Sequence, residues 1–407
     1  MNKKQALAVL IGILITFWAS SIKGSYQVYF LDLLQMSNVS RGQFALSSSI
    51  FGLAIGVFSP IVGWLSDRVG PALTILSGVL VACFTFSLMG LMFHFWLFVV
   101  LFGVLASYAL CAMTFVPLAL LVDHIFASQH KGMAYAAITN GTAIGFMVLS
   151  PLWVWLHNFM TWQALSGLIA AVFVLVILPA SIALCMAFPK RIFQQSGERV
   201  LVQDRSWLSL LKQPVFLLLA LSFGGCGASM AYIDVHLVPL LQERFVEGAP
   251  AVVATSLSVL GAAELVGAFL VGYLLRFSPA ALMLAALYGM RALSLLVLLN
   301  AETMEAVLVF AVVFGLSYMG TVIVTSLMCL QAYGAQVKGK IFGCLFSVHQ
   351  VFVFATIWLG GVSYDVTGSY QWITYFTIGL SCLSVAIGLL LWGFKPHHHD
   401  DGSAVMA

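Results

Sequence analysis

The stretch G-W-L-S-D-R-V-G-P-A-L at residues 63–73 returns in altered form as G-Y-L-L-R-F-S-P-A-A-L at residues 272–282. Each copy ends one long apolar run and begins another. Upstream, D-L-L-Q (32–35) is echoed by P-L-L-Q (239–242) at nearly the same offset. A chain of 407 residues that repeats itself after about half its length is built from two related halves. The runs between the repeated stretches say what those halves are made of.

Hydrophobic residues make up 62% of the chain and charged residues 8%, with a mean hydropathy of +1.07. No soluble protein of this length has enough interior to hide so much apolar surface. Lipid must serve as its solvent, and a spanning helix needs about 20 apolar residues. Twelve runs qualify: 6–32, 43–65, 72–91, 95–122, 132–156, 163–188, 214–241, 251–275, 280–299, 304–331, 339–362 and 371–394. They lack the alternation of barrel strands, so helices are predicted. The fold class is an all-α integral membrane protein, twelve transmembrane helices in two pseudo-symmetric halves. The first run is long and ends without a small-residue cleavage pattern, so it is expected to remain as a span.

Lys and Arg orient the spans. With the N-terminus inside, thirteen of the 17 fall on the cytoplasmic side: Lys3, Lys4, Arg68, Lys131, Lys190, Arg191, Arg199, Arg205, Lys212, Arg276, Lys338, Lys340 and Lys395. Only Arg41 and Arg244 fall outside, while Lys23 and Arg291 lie within spans. The outer loops carry Asp32, Glu243, Glu247, Glu302, Glu305 and Asp365 instead. This asymmetry places both termini in the cytoplasm and fits a bacterial inner membrane. The net charge of +3 therefore reflects topology and implies no nucleic-acid partner. The basic segment 189–213 separates a first six-helix bundle (1–188) from a second (214–394), with a cytoplasmic tail at 395–407.

No catalytic triad, phosphate loop or metal-ligand spacing is present. G-G-C-G (224–227) lies inside a span with no following Gly-Lys-Ser/Thr, and the seven Cys all fall in spans without CxxC spacing. An enzyme, a cofactor and a metal site are not expected. A receptor would carry an appended soluble domain, and the longest loop is about 25 residues. A parallel repeat of six helices joined by a basic loop is the build of a transporter with its site between the halves.

GxxxDRxG at the short loop after the second span, here Gly63, Asp67, Arg68 and Gly70, resembles the signature of the major facilitator superfamily. The two glycines permit close backbone approach, Asp67 suits a helix N-terminus as an inner-gate latch, and Arg68 suits a carboxylate or a helix C-terminus. The second copy has Arg276 where the acid would stand. Three further stretches are similar to bacterial monocarboxylate-transporter-like members: V-H-L-V-P-L-L-Q (235–242), A-L-Y-G-M-R-A-L-S-L (286–295) and G-K-I-F-G-C-L-F-S-V-H-Q (339–350) with G-G-V-S-Y-D-V-T-G-S-Y (360–370). This resemblance implies a monomer whose cavity is lined by the first, fourth, seventh and tenth spans. It also implies a lysine in the first span and an acid in the eighth that serve a carboxylate and its proton. Lys23 and Glu264 match them, but Ala268 stands where the family's arginine would be.

The ionisable residues within spans are the candidates for function. Lys23 offers three donors to an anion; its alternatives are a structural pairing with Asp234 and snorkelling. Tyr26 shares its helix face, and Tyr232 and His236 share another, with Asp234 roughly opposite them. His236 is expected to face the same water as Lys23. Glu264, costly to charge when buried, is the expected proton carrier together with Asp234, with a fixed ion pair to Arg291 as the alternative. Arg291 itself reads as structural. Tyr108, Asn140 and Gln350 are weaker substrate-binding candidates, since such groups more often bridge helices. The leading expectation is proton-coupled transport of a small mono- or polycarboxylate; the alternative is a larger solute such as a drug-like compound or siderophore.

Overall fold

The computed structural model of the chain describes residues 3–91, 94–189 and 207–393. The tail, Lys395 and most of the segment between the bundles, with Lys190, Arg191, Arg199 and Arg205, lie outside them. Among the described residues, twelve helices are long and apolar enough to cross a membrane. They are α1 (Lys4–Val28), α2 (Arg41–Val69), α3 (Pro71–Leu91), α4 (Phe95–Ile125), α5 (His130–His157) and α6 (Trp162–Ala187). The second set is α7 (Pro214–Arg244), α8 (Ala249–Leu274), α9 (Ala280–Leu299), α10 (Met304–Tyr333), α11 (Val337–Thr367) and α12 (Gln371–Gly393). Each overlaps its predicted run. The helices overshoot where polar residues continue them: α2 carries Asp67 and Arg68 in its last turn, and α11 continues past Asp365. Hydropathy marks the lipid-crossing part, whereas backbone hydrogen bonding continues into the interface.

The ends have local causes. Ser40 caps α2 with a capping box: its hydroxyl accepts from the Gln43 amide at 3.2 Å while the Gln43 side chain accepts from the Ser40 amide. Thr303 caps α10 in the same one-sided way as Thr161 caps α6. In α1, Ser20 and Ser21 turn their hydroxyls back onto the Phe17 and Trp18 carbonyls, and the helix is interrupted at Ser20. A second interruption in α10 lies between Tyr318 and Gly320.

The packing repeats as the sequence does. In the first six spans α1 packs on α5, α2 on α4 and α3 on α6; in the second six α7 packs on α11, α8 on α10 and α9 on α12. Between the sets, α2 lies along α11 and α5 along α8. A shift of six spans turns one of these contacts into the other. Lipid offers no hydrophobic drive for helices to associate, so close contacts and hydrogen bonds hold the bundle. Buried Ser and Thr, such as Ser229, Thr377 and Ser381, return their hydroxyls to carbonyls of their own helix, while Leu80, Val100, Leu293 and Leu390 stay on the outside.

The signature loop is shaped by one glycine. Gly70 has φ +96° and ψ 150°, a region open essentially to glycine alone. Gly63 differs from expectation: an added Cβ would only touch Val116 at 3.7 Å, so no close approach requires glycine there in this state. The Arg68 guanidinium lies over the Trp64 ring at 4.3 Å. Gly70→Ala is expected to lower the thermal unfolding midpoint of the detergent-purified protein, because a side chain there costs about 1–3 kcal/mol. Gly63→Ala is expected to leave it nearly unchanged; equal shifts for the two would contradict this account.

Candidate functional site

The hydrogen bonds that tie the two sets of spans together gather towards the acid-rich end, near the loops at 38–40, 245–248 and 368–370. Lys23 Nζ of α1 lies 3.1 Å from Asp234 Oδ2 of α7. One turn on, Gln27 donates to the Ile233 carbonyl at 3.1 Å, and Gln242 of α7 donates back to the Val28 carbonyl at 3.4 Å. Ser258 of α8 donates to the Met147 carbonyl of α5 at 3.2 Å. Above these, Arg41 at the start of α2 grips Glu243 with both guanidinium nitrogens, at 2.6 and 3.3 Å. It also donates to the Tyr370 hydroxyl at 2.9 Å and lies over the Tyr364 ring at 3.4 Å. Asp365 of α11 accepts from the Arg41 and Gly42 amides, capping α2 from the opposite set. Burial raises the Tyr370 phenol well above its ordinary range, with the Arg41 charge opposing, so it remains a neutral hydroxyl in this clasp.

Beneath the clasp lies a pocket bounded by α1, α2, α4, α7 and α11. Its empty space, open mouth included, is ≈ 580 Å³. Lys23 and Asp234 are the charged groups on its wall, with side chains 45% and 25% exposed. Tyr26 lines it from the same face of α1 as Lys23, its hydroxyl bonded to Ser47 and Ser48 at 3.2 and 3.1 Å. Gln350 lines it from α11.

Of the cavity helices implied by resemblance, α10 reaches the pocket only indirectly. Its Tyr318 hydroxyl donates to Asp234 Oδ1 at 2.6 Å. In this state α2 and α11 supply much of the wall, because the halves are drawn together at this end.

Other candidates stand elsewhere. Tyr232 and His236 are buried against α11 and α12: the Tyr232 hydroxyl bonds Thr374 at 2.6 Å, and His236 Nε2 meets the Ile357 carbonyl at 2.9 Å. His236 therefore does not share water with Lys23, a correction that follows from helix geometry. Once Asp234 faces the pocket, residues two positions away on either side point roughly opposite. Tyr108 bonds Ser77 at 2.7 Å between α3 and α4. Asn140 is half-buried on α5 and does not line the pocket. Glu264 is half-buried on α8, within electrostatic reach of Asp234 and Lys23. Among the described residues it joins no ion pair.

Arg291 does not pair with Glu264. Fully buried, it donates to the Ser317 and Tyr318 carbonyls at 3.2 and 2.7 Å, to Thr321 Oγ1 at 2.9 Å and to Ser229 Oγ at 2.8 Å. Those carbonyls end the first half of α10, where no helical partner remains for them. Arg291 thus holds the interruption in α10, and with it Tyr318 and the orientation of Asp234. The sequence reading missed both Tyr318 and Arg41. Their signals were a tyrosine two positions before a glycine in mid-span, S-Y-M-G (317–320), and a cation, Arg41, at the end of the spans where the loops carry six acids.

The model of the Major Facilitator Superfamily matches residues 8–355, and the chain belongs to that family. It is a multi-pass membrane transporter of a small-molecule substrate, not an enzyme. It is 26% identical over 377 residues to the MFS-type transporter YcxA of Bacillus subtilis (strain 168), covering 91% of each chain. It also resembles the crystal structure of a bacterial homolog of the human lysosomal transporter Spinster. The inward-facing, occupied form gives a TM-score of 0.75 at 13% identity, over 97% of this chain and 98% of that one. The inward-facing, unoccupied form gives 0.68 at 13% identity, over 96% and 95%. At this identity the likeness shows the fold.

The two ion pairs of α2 and α5 differ in setting. Arg41 is 9% and Glu243 31% exposed, whereas Lys131 and Asp123 are 34% and 58% exposed. Stripping one partner from a fully buried pair costs about 3–5 kcal/mol, an upper bound for a pair whose Glu243 is partly exposed, while exposed pairs contribute about 0–1 kcal/mol. Arg41→Ala is therefore expected to lower the thermal midpoint by several-fold more than Lys131→Ala. Similar melting curves for the two variants would contradict the clasp.

Proposed function

We propose that this transporter moves a small organic anion by alternating access, coupled to protons, with Lys23 as the anion contact and Asp234 as its resident counter-ion. The observation that carries this reading is the Lys23–Asp234 pair at 3.1 Å. It lies on the wall of the pocket and spans the two sets of helices. A carboxylate entering the pocket competes with Asp234 for the same ammonium. Protonating Asp234 removes the competitor, leaves Lys23 charged and so favours the anion. The same event removes the ionic contact between α1 and α7, two spans related by the repeat, and leaves the Gln27 and Gln242 contacts to hold them. Glu264, without an ion pair among the described residues and within reach of both charges, is the second proton site.

The direction follows from the charge asymmetry. Under the positive-inside rule the clasp of Arg41 faces outward, and the state described is closed outside. Added Cβ atoms at Gly132, Gly339 and Gly343, towards the basic ends of α5 and α11, would meet nothing within 4 Å, which suits an opening to the cytoplasm. Ala268 leaves Lys23 without the arginine that monocarboxylate-transporter-like members would add. A larger solute is the competing reading, and the modest pocket favours the smaller one.

Uptake of labelled mono-, di- and tricarboxylates into proteoliposomes tests this. At least one is expected to enter faster as the outer pH falls, and Lys23→Ala is expected to abolish its entry. Asp234→Asn, which keeps the shape but not the charge, is expected to retain binding and lose most of the pH dependence. Uptake by Lys23→Ala at the wild-type rate would sink the anion contact.

A further inference from the structure

Gln350 is 6% exposed and lines the pocket, yet its carboxamide has no hydrogen-bond partner among the described residues. A carboxamide brings two donors and two acceptor sites, and those of Gln350 are not sealed from solvent but stand open to the pocket. Its surroundings are shaped to admit it. Gly56 of α2 faces its stem, where an added Cβ would come within 3.1 Å of Cγ. The adjacent His349 also lines the pocket and is 6% exposed, with both ring nitrogens unpartnered. This corner of α11 therefore concentrates unmet hydrogen-bonding capacity without charge. Across the pocket, Tyr26, Phe102 and Phe51 stack in a row, with centroids 4.3 and 4.9 Å apart. That row offers a ring or chain an apolar wall and no further charge.

We infer that Gln350 is the specificity-determining residue of this pocket, hydrogen-bonding a hydroxyl or carbonyl that the carried anion bears away from its carboxylate. The inference rests on the reading of the pocket as the anion site. Lys23 holds one end of the solute, the aromatic row covers its body and the Gln350 carboxamide reads the other end. A solute lacking that group leaves the carboxamide unpaired, which is how a site built for a hydrogen bond rejects an analogue without one.

The test uses the purified full-length protein and a matched probe set: phenylacetate and its 2-, 3- and 4-hydroxy derivatives, with binding measured by calorimetry. At least one hydroxylated probe is expected to bind the wild type about tenfold more tightly than phenylacetate, the worth of one hydrogen bond. In Gln350→Leu that ratio is expected to fall to about one, while phenylacetate affinity changes less than about threefold. Gln350→Met, of similar length, serves if the leucine variant does not fold, and retained phenylacetate binding reports folding in either. A hydroxyl preference that survives in both variants overturns the assignment, as does a wild type without any preference or without binding. Lys23→Ala separates the two readings: phenylacetate binding that needs Lys23 but shows no hydroxyl preference refutes the role of Gln350 alone.

Discussion

The ion pair between Lys23 and Asp234 organises the centre of the molecule. A charge within a membrane protein needs a partner, water or both, and here each charge supplies the other across the junction of two six-helix sets. The geometry extends outward from that contact. Tyr318 holds the second oxygen of Asp234, Arg291 holds the backbone at Tyr318, and Gln27 and Gln242 lace α1 to α7 on the side towards the clasp. The pair is half open to the pocket, unlike a fully enclosed pair.

Arg291 and Arg41 show two other solutions to the same electrostatic problem. Arg291 is fully buried and meets carbonyl and hydroxyl oxygens in place of a carboxylate. It fills the gap that an interrupted helix leaves in its own ladder, so its role is positional. Arg41 instead spends its donors on Glu243 and Tyr370 while its plane rests on Tyr364. The guanidinium suits both tasks because its donors are fixed in a planar fork. A lysine at either position would reach fewer of these partners.

Much of the architecture was legible in the chain. Span lengths follow from apolar runs, and the twelve helices overlap the predicted ones because hydrocarbon thickness allows little choice of length. The repeated loop at 63–73 and 272–282 is matched by equivalent packing of the two sets. The site was legible only in part. Lys23, Tyr26, Asp234 and Gln350 stand together on the pocket wall, whereas His236, Tyr232, Tyr108 and Asn140 do not. Residue type marks a group as costly to bury, but the rotation of its helix decides what that group faces. Glu264 is between these cases, near the charges but off the wall.

The sequence by itself determined the solvent of this protein, the number and extent of its helices and their twofold repetition. All of these depend on composition along a single helix or loop, where hydrophobicity and backbone hydrogen bonding act locally. The tertiary structure alone decided that Lys23 meets Asp234, that Tyr318 and Arg291 stand behind them and that Arg41 closes the acid-rich end. Those contacts join residues up to 329 positions apart. They depend on helix rotations and on interruptions at Ser20 and Met319, which arise from how neighbouring spans pack and leave no periodic trace in the chain.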